Sequence, residues 1–220
     1  MTRIKICGVT DVETAELCCE LGVNFLGLVF APGRRRVSPD IARGITAYLS
    51  KIPRHPVVVG VFPPAPNYEV NLLAEYCGID WVQLPGDVTK EYAKALKRPV
   101  IRLNHISKET SPEDIQAFVS GSFGTRSVCL LDNAPSGKSS SLASPFDWHL
   151  LPELSPFIPV LVGGGLTAEN VGQLVGNYHP WGVNVSAEVE RSGKKSQSKI
   201  KAFIKAVQDA DFKLTVSSPT

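Results

Sequence analysis

The residues able to do chemistry fall into five short stretches. Arg3-Ile4-Lys5-Ile6-Cys7-Gly8 ends on a thiol, and a cysteine at a strand's carboxyl end can be a base, a nucleophile or a small hydrophobe. Leu130-Leu131-Asp132 ends on a carboxyl group, which can hold or release a proton. Phe30-Ala31-Pro32-Gly33-Arg34-Arg35-Arg36-Val37-Ser38 sets three guanidinium groups in one loop, where they can meet an anion or simply be solvated. Val162-Gly163-Gly164-Gly165-Leu166-Thr167 leads into a helix start, a place where backbone N–H groups are free for a phosphate. The fifth stretch, Val183-Asn184-Val185-Ser186-Ala187-Glu188-Val189-Glu190, ends a strand with two more acids.

Short β-rich apolar runs alternate with amphipathic segments along the chain, the pattern of a parallel sheet with crossover helices. Eight strands are expected, at Arg3 to Ile6, Phe25 to Phe30, Val57 to Val61, Trp81 to Leu84, Val100 to Arg102, Ser127 to Leu131, Val160 to Val162 and Gly182 to Val185. Helix starts are read at Thr10 with Glu13 as a capping box, at Ser38-Pro39, at Ser111-Pro112 and at Thr167; Gly22 and Gly78 close two helices. Eight such units in 220 residues with 43% hydrophobic content fit one domain. The expected fold is a single (β/α)8 TIM barrel over residues 1–209, its last helix at about Lys195 to Asp209, followed by a flexible tail over 210–220. In that fold the loops after the strands form the active face, and all five stretches lie there.

Order and spacing of these motifs resemble the phosphoribosylanthranilate isomerases, (β/α)8 enzymes of tryptophan biosynthesis. The resemblance covers nearly the whole chain. It rests on Lys5-Ile6-Cys7-Gly8, the arginine loop before Val37-Ser38-Pro39, Gly60-Val61-Phe62, Val82-Gln83-Leu84, Leu131-Asp132, Phe146-Asp147-Trp148, and Gly164-Gly165-Leu166 followed by Glu169-Asn170-Val171. It implies an Amadori rearrangement with Cys7 as general base and Asp132 as general acid. It further implies substrate contacts from Arg35, with the register open by one position to Arg34 or Arg36, from Gln83, Gly164 and Gly165, and from Asn184, Ser186 and Glu188. Cys7 then needs positive potential to be thiolate near neutral pH, to which Lys5 on the same strand face can contribute, and Asp132 needs desolvation to stay protonated.

Departures from the family pattern cluster where a phosphate should sit. The family usually reads Asp-Val-Ser-Ser-Gly-Val-Glu after strand eight, whereas this chain has Asn184, Ala187 and Glu188 at the aspartate, second serine and glycine. A carboxylate ~4 Å from a phosphate charge at an effective dielectric of about 20 costs roughly 4 kcal/mol unless it turns to water. Ser140-Ser141-Leu142-Ala143 replaces a glycine-rich turn, Pro85 replaces a histidine, and Ser196 replaces an aspartate. Three readings follow: a divergent isomerase of this family with an altered phosphate grip, a paralogue using the same Cys/Asp pair on a different substrate, phosphorylated or not, or a catalytically silent binding protein.

The formal charge of +2, with no basic stripe, gives no reason to expect nucleic acid. Five cysteines without a C-x-x-C pair point to reduced thiols, and Cys18, Cys19, Cys77 and Cys129 read as packing residues. His55, His105, His149 and His179 lack metal-ligand spacing, and the glycine triplet is no dinucleotide fingerprint, so neither metal nor cofactor is expected. No apolar run is long enough to span a membrane. A cytoplasmic monomer or homodimer acting on a small molecule is the expectation.

Overall fold

A computed structural model describes residues 1–120, 127–133, 146–153 and 159–217; the expectation at Ser140 to Ala143 lies outside the described residues. The order is β1 (Arg3–Cys7), α1 (Val12–Glu20), β2 (Phe25–Val29), α2 (Pro39–Leu49), β3 (Val57–Val61), α3 (Asn67–Tyr76), β4 (Trp81–Pro85), α4 (Lys90–Lys94), β5 (Val100–Ile106), α5 (Pro112–Ser120) and β6 (Ser127–Asn133). A 3-10 helix at Trp148–Glu153, β7 (Val160–Val162), α6 (Val171–Tyr178) and β8 (Gly182–Val185) follow, then a 3-10 turn at Ala187–Val189, β9 (Glu190–Arg191), β10 (Lys194–Lys195) and α7 (Gln197–Ser217). Strands β1 to β8 close on themselves in sequence order, every pair parallel. The expected (β/α)8 barrel is the fold.

Strand parity decides what faces the barrel axis. Phe25, Val59, Ile101, Val128, Leu130 and Leu161 form the apolar filling of the lumen. Below them Trp81 and Trp181 each lie 5.8 Å from the Phe25 ring, and the Arg3 guanidinium stacks 4.2 Å over Trp181. The opposite strand faces pack against the helices in a larger core that includes Ile6, Leu26, Leu28, Val58, Leu131 and Val183. Two steps along each strand from this filling, the same parity brings Lys5 and Cys7 of β1, Gln83 of β4, Asp132 of β6 and Asn184 of β8 to the upper lumen.

Several boundaries differ from the sequence reading. Strand β5 continues past Arg102 to Ile106, because its polar outward residues find partners: Arg102 donates to the Gly86 carbonyl, and Asn104 donates to the Arg102 carbonyl at 3.2 Å and the Cys129 sulfur at 3.3 Å. Strand β6 runs to Asn133, so Asp132 is inside the strand rather than just beyond it. Asp11, not Thr10, caps α1, its Oδ1 accepting the Thr14 N–H at 2.8 Å. Helix α6 starts at Val171, after a turn in which Asn170 accepts from the Thr167 N–H and donates to the Gly165 carbonyl, both at 2.8 Å. Helix α7 passes Asp209 and ends at Ser217, so the tail expected from Ala210 begins as helix. The chain's start holds it there, since the Thr2 N–H and hydroxyl donate to the Asp211 carboxylate at 2.7 and 2.8 Å. Among the described residues no helix is long and apolar enough to cross a membrane.

Candidate active site

Cys7 is the last residue of β1, and its side chain is fitted against β2. It pairs in register with Gly27, where a Cβ would come within 2.8 Å of the thiol sulfur. The next residue, Gly8, has φ +78°, and a side chain there would run into Arg35, whose Cδ would lie 2.5 Å from its Cβ. Only glycine takes that backbone conformation cheaply and lets the arginine stem cross the end of β1. Cys7 is also tied to β8, its carbonyl accepting from the Ser186 hydroxyl at 2.9 Å.

The arginine loop is held by a residue that sequence reasoning did not single out. Glu190 accepts from Arg35 through Nε at 2.6 Å and Nη2 at 3.2 Å, from Arg34 Nη2 at 3.2 Å and from Lys195 Nζ at 2.9 Å. Burial pushes the Glu190 carboxyl upward, but Arg35 and Lys195 outweigh it and hold it below its ordinary value. Hydrogen bonding to Glu190 raises Arg35 in turn, and burial pulls the Lys195 ammonium down against the pull of Glu190. Three cations around one carboxylate leave an excess of positive charge, and Cys7 is within electrostatic reach of both Arg35 and Lys195. Glu190 and Lys195 are cross-strand partners in the small β9–β10 hairpin, whose turn, Ser192-Gly193, has φ of +50° and +80°. That Ser-Gly turn between a glutamate and a lysine was the signal available in the sequence. Arg36 stays exposed, joining the sheet only through a backbone bridge to Val29.

Asp132 meets the opposite demand. Desolvation lifts its carboxyl from the ordinary value near 3.8 to about 6; the Asn133 N–H opposes this, the Glu188 charge adds to it, and His105 and Lys5 oppose it again. The loop after β7 packs directly on it. A Cβ at Gly163 would sit 2.6 Å from Asp132 Oδ2, and one at Gly164 would sit 2.8 Å from Oδ1. His105 pairs in register with Asp132, and the sequence reading had passed over it. Its Nδ1 lies 3.1 Å from the Asn133 carbonyl, which can only accept, so Nδ1 carries a proton and Nε2 is the nitrogen left for other contacts.

Lys5, expected on the Cys7 face of β1 as a source of positive potential, has its ammonium engaged by Asn184. It is fully buried and donates to Asn184 Oδ1 at 3.0 Å, while Asn184 Nδ2 lies 3.3 Å from Asp132 Oδ2. Asn184 therefore spends both ends of its amide inside the barrel, and Ser186 is engaged by Cys7 and by Lys195, whose Nζ reaches the Ser186 carbonyl at 2.8 Å. Glu188 is half-buried on the turn after β8, and its charge acts on Asp132 and Arg35. Gln83 is buried on the lumen face, and its Oε1 has no partner among the described residues.

A thiol within reach of two cations, a carboxyl group raised by burial to about 6, and a braced arginine make a site for moving protons on a small anion. The sequence profile of N-(5'phosphoribosyl)anthranilate (PRA) isomerase matches residues 4–206. The chain belongs to the phosphoribosylanthranilate isomerase family. It is 37% identical over 217 residues to the N-(5'-phosphoribosyl)anthranilate isomerase of Desulforamulus reducens, covering 99% of this chain and 100% of that one. The same enzyme of Dehalococcoides mccartyi is 36% identical over 215 residues, 96% of this chain and 98% of that one. The solved phosphoribosyl anthranilate isomerase of Thermotoga maritima superposes with a TM-score of 0.79 at 32% identity, covering 95% of this chain and all of that one. A phosphoribosyl anthranilate isomerase in complex with reduced 1-(o-carboxyphenylamino)-1-deoxyribulose 5-phosphate gives 0.77 at 30% identity over the same 95%. As a member of this family the chain is an isomerase of the intramolecular oxidoreductase type.

Proposed function

We propose that this isomerase converts N-(5-phosphoribosyl)anthranilate to its 1-deoxyribulose isomer by the Amadori route of tryptophan biosynthesis. The observation that carries the reading is the placement of Asp132 and Cys7 at one barrel mouth, the carboxyl raised by burial and the thiol within electrostatic reach of Arg35 and Lys195. Asp132 gives its proton to the ribose ring oxygen as the C1–O bond breaks, leaving an iminium at C1. Cys7 takes the proton from C2, and the C–H electron pair forms the C1=C2 bond of an enolamine. The enol hydroxyl then loses its proton while C1 gains one, so the product is an isomer of the substrate and no redox partner is consumed. Arg35 suits the anthranilate carboxylate: Glu190 occupies its Nε side, leaving the Nη1/Nη2 edge for a paired contact. Gly164 and Gly165 suit the phosphate, as in other barrels that bind one at loops seven and eight. Purified protein should consume phosphoribosylanthranilate, followed by loss of its fluorescence; no turnover at high enzyme concentration overturns the reading.

Glu188 is the part of the phosphate end we read as altered. Its half-buried carboxylate stands where the family pattern has glycine, with its charge felt across the site. Glu188→Gly is expected to lower KM about tenfold, a fraction of the full Coulomb term because water screens part of it. An unchanged KM in steady-state kinetics would show that this carboxylate never faces the phosphate.

Glu190→Gln tests the brace. The change leaves Lys195, whose side chain is 2% exposed, without its counter-charge and frees Arg35 to wander. Stability should fall by on the order of 3 kcal/mol in urea titration, and KM should rise about tenfold while kcat changes less.

A further inference from the structure

We propose that Lys5 and Asn184 act as a positioning pair for Asp132, the ammonium fixing the amide and the amide fixing how the carboxyl group is turned. This rests on Asp132 being the general acid of the proposed reaction. Neither residue needs to touch the substrate for it to hold.

The polarity of the chain of contacts has one solution. An ammonium can only donate, so Lys5 at 3.0 Å compels Asn184 to turn Oδ1 toward it and Nδ2 the other way. Nδ2 can only donate, so Asp132 Oδ2, at 3.3 Å, must receive it. On the other side Oδ1 receives the Asn133 N–H at 2.8 Å. With one oxygen held from each side, the two contacts together fix how the carboxyl group is turned. All three side chains are on the lumen face, with Lys5 wholly buried, Asn184 6% exposed and Asp132 half-buried at the mouth. Gly163 completes it: a Cβ there would lie 2.6 Å from Asp132 Oδ2 and 3.1 Å from Asn184 Nδ2, wedging the pair apart.

The arrangement also gives the departure at position 184 a meaning. An aspartate would pair with Lys5 as an ion pair, but it offers Asp132 no N–H and sets a second carboxylate beside it. Among the described residues, the other charged groups acting on Asp132 are Glu188 from the turn after β8, His105 from β5 and Lys5 itself from β1. All of these stay in place when the amide becomes a carboxylate.

The test compares wild type, Asn184→Asp and Asn184→Leu, with carbon-13 labelled aspartate and Asp132→Asn to assign the Asp132 carboxyl signal. Asn184→Asp, which is isosteric, should move the titration midpoint of Asp132 upward by about one pH unit. Asn184→Leu should lower kcat about tenfold or more with KM within about twofold, since only the aim of the acid is lost. A midpoint in Asn184→Asp equal to that of wild type overturns the proposal, whether or not Asn184→Leu folds. Absence of turnover in wild type would instead strike the functional reading, and the titration would still report on the pair.

Discussion

Cys7→Ala is expected to lower kcat for phosphoribosylanthranilate about a thousandfold or more, with KM little changed. Among the described residues, proton abstraction from C2 has no other candidate base at the β1 end of the mouth, and general-base catalysis contributes about 10² to 10⁴ in rate. The other thiols cannot take over. Burial pushes Cys18 and Cys129 to about 12 and Cys77 to about 11, so they remain protonated at any working pH. Cys19 lies on α1, where burial and the neighbouring Glu16 and Glu20 raise its thiol. Cys7 instead has Arg35 crossing beside it and Lys195 bonded to the residue that holds its carbonyl. Cys7→Ser should be nearly as inactive, because a hydroxyl does not ionise where a thiol does; activity within tenfold of wild type in steady-state assays would exclude Cys7 as the base. Both variants should melt within a few degrees of wild type, since one sulfur is a small loss from this core.

What could be read from the chain, and what could not, divides by the range of the interaction. The alternation of β-branched runs with capped helices is local, so all eight strands and the barrel were legible, and so was the position of Cys7 and Asp132 at strand ends. Where a strand carried polar outward residues, as β5 does at Arg102 and Asn104, an apolar pattern ended too early, because their partners on Gly86 and Cys129 are far away in sequence. Thr2 anchoring α7 through Asp211 is the same kind of contact across the whole chain. The site shows the division most clearly. Arg35 was singled out through the family resemblance, counted back from Val37-Ser38, but its partner Glu190 lies 155 residues on, and no local rule pairs them. Asn184 looked like a weakened phosphate contact when only its neighbours were compared. Its side chain is in fact shared between Lys5 and Asp132, and only the closure of β8 onto β1 brings the three together.

Asp132→Asn should separate activity from stability in opposite directions. An amide cannot protonate the ring oxygen, so kcat should fall about 10³- to 10⁴-fold. The loss is this large because the site is built to keep the acid loaded: with its carboxyl near 6, about a tenth of Asp132 is protonated at pH 7, against under about a thousandth for an ordinary carboxyl near 3.8. That loading costs stability. A carboxyl group raised in the folded state binds its proton more tightly there than in the unfolded chain, so the folded state loses stability as pH climbs from about 4 through about 6. Asparagine has no proton to lose and escapes the penalty. The difference in unfolding free energy between Asp132→Asn and wild type should therefore shift in favour of the variant by on the order of 2 kcal/mol between pH 4 and pH 7. Any fixed penalty from setting one amide N–H against the Asn184 N–H offsets both pH values equally and leaves the slope intact. Urea titrations of both proteins at the two pH values measure it. A difference that does not change with pH would mean that Asp132 ionises in the folded protein as freely as in water, and the chemical case for it as the acid would fall with that result.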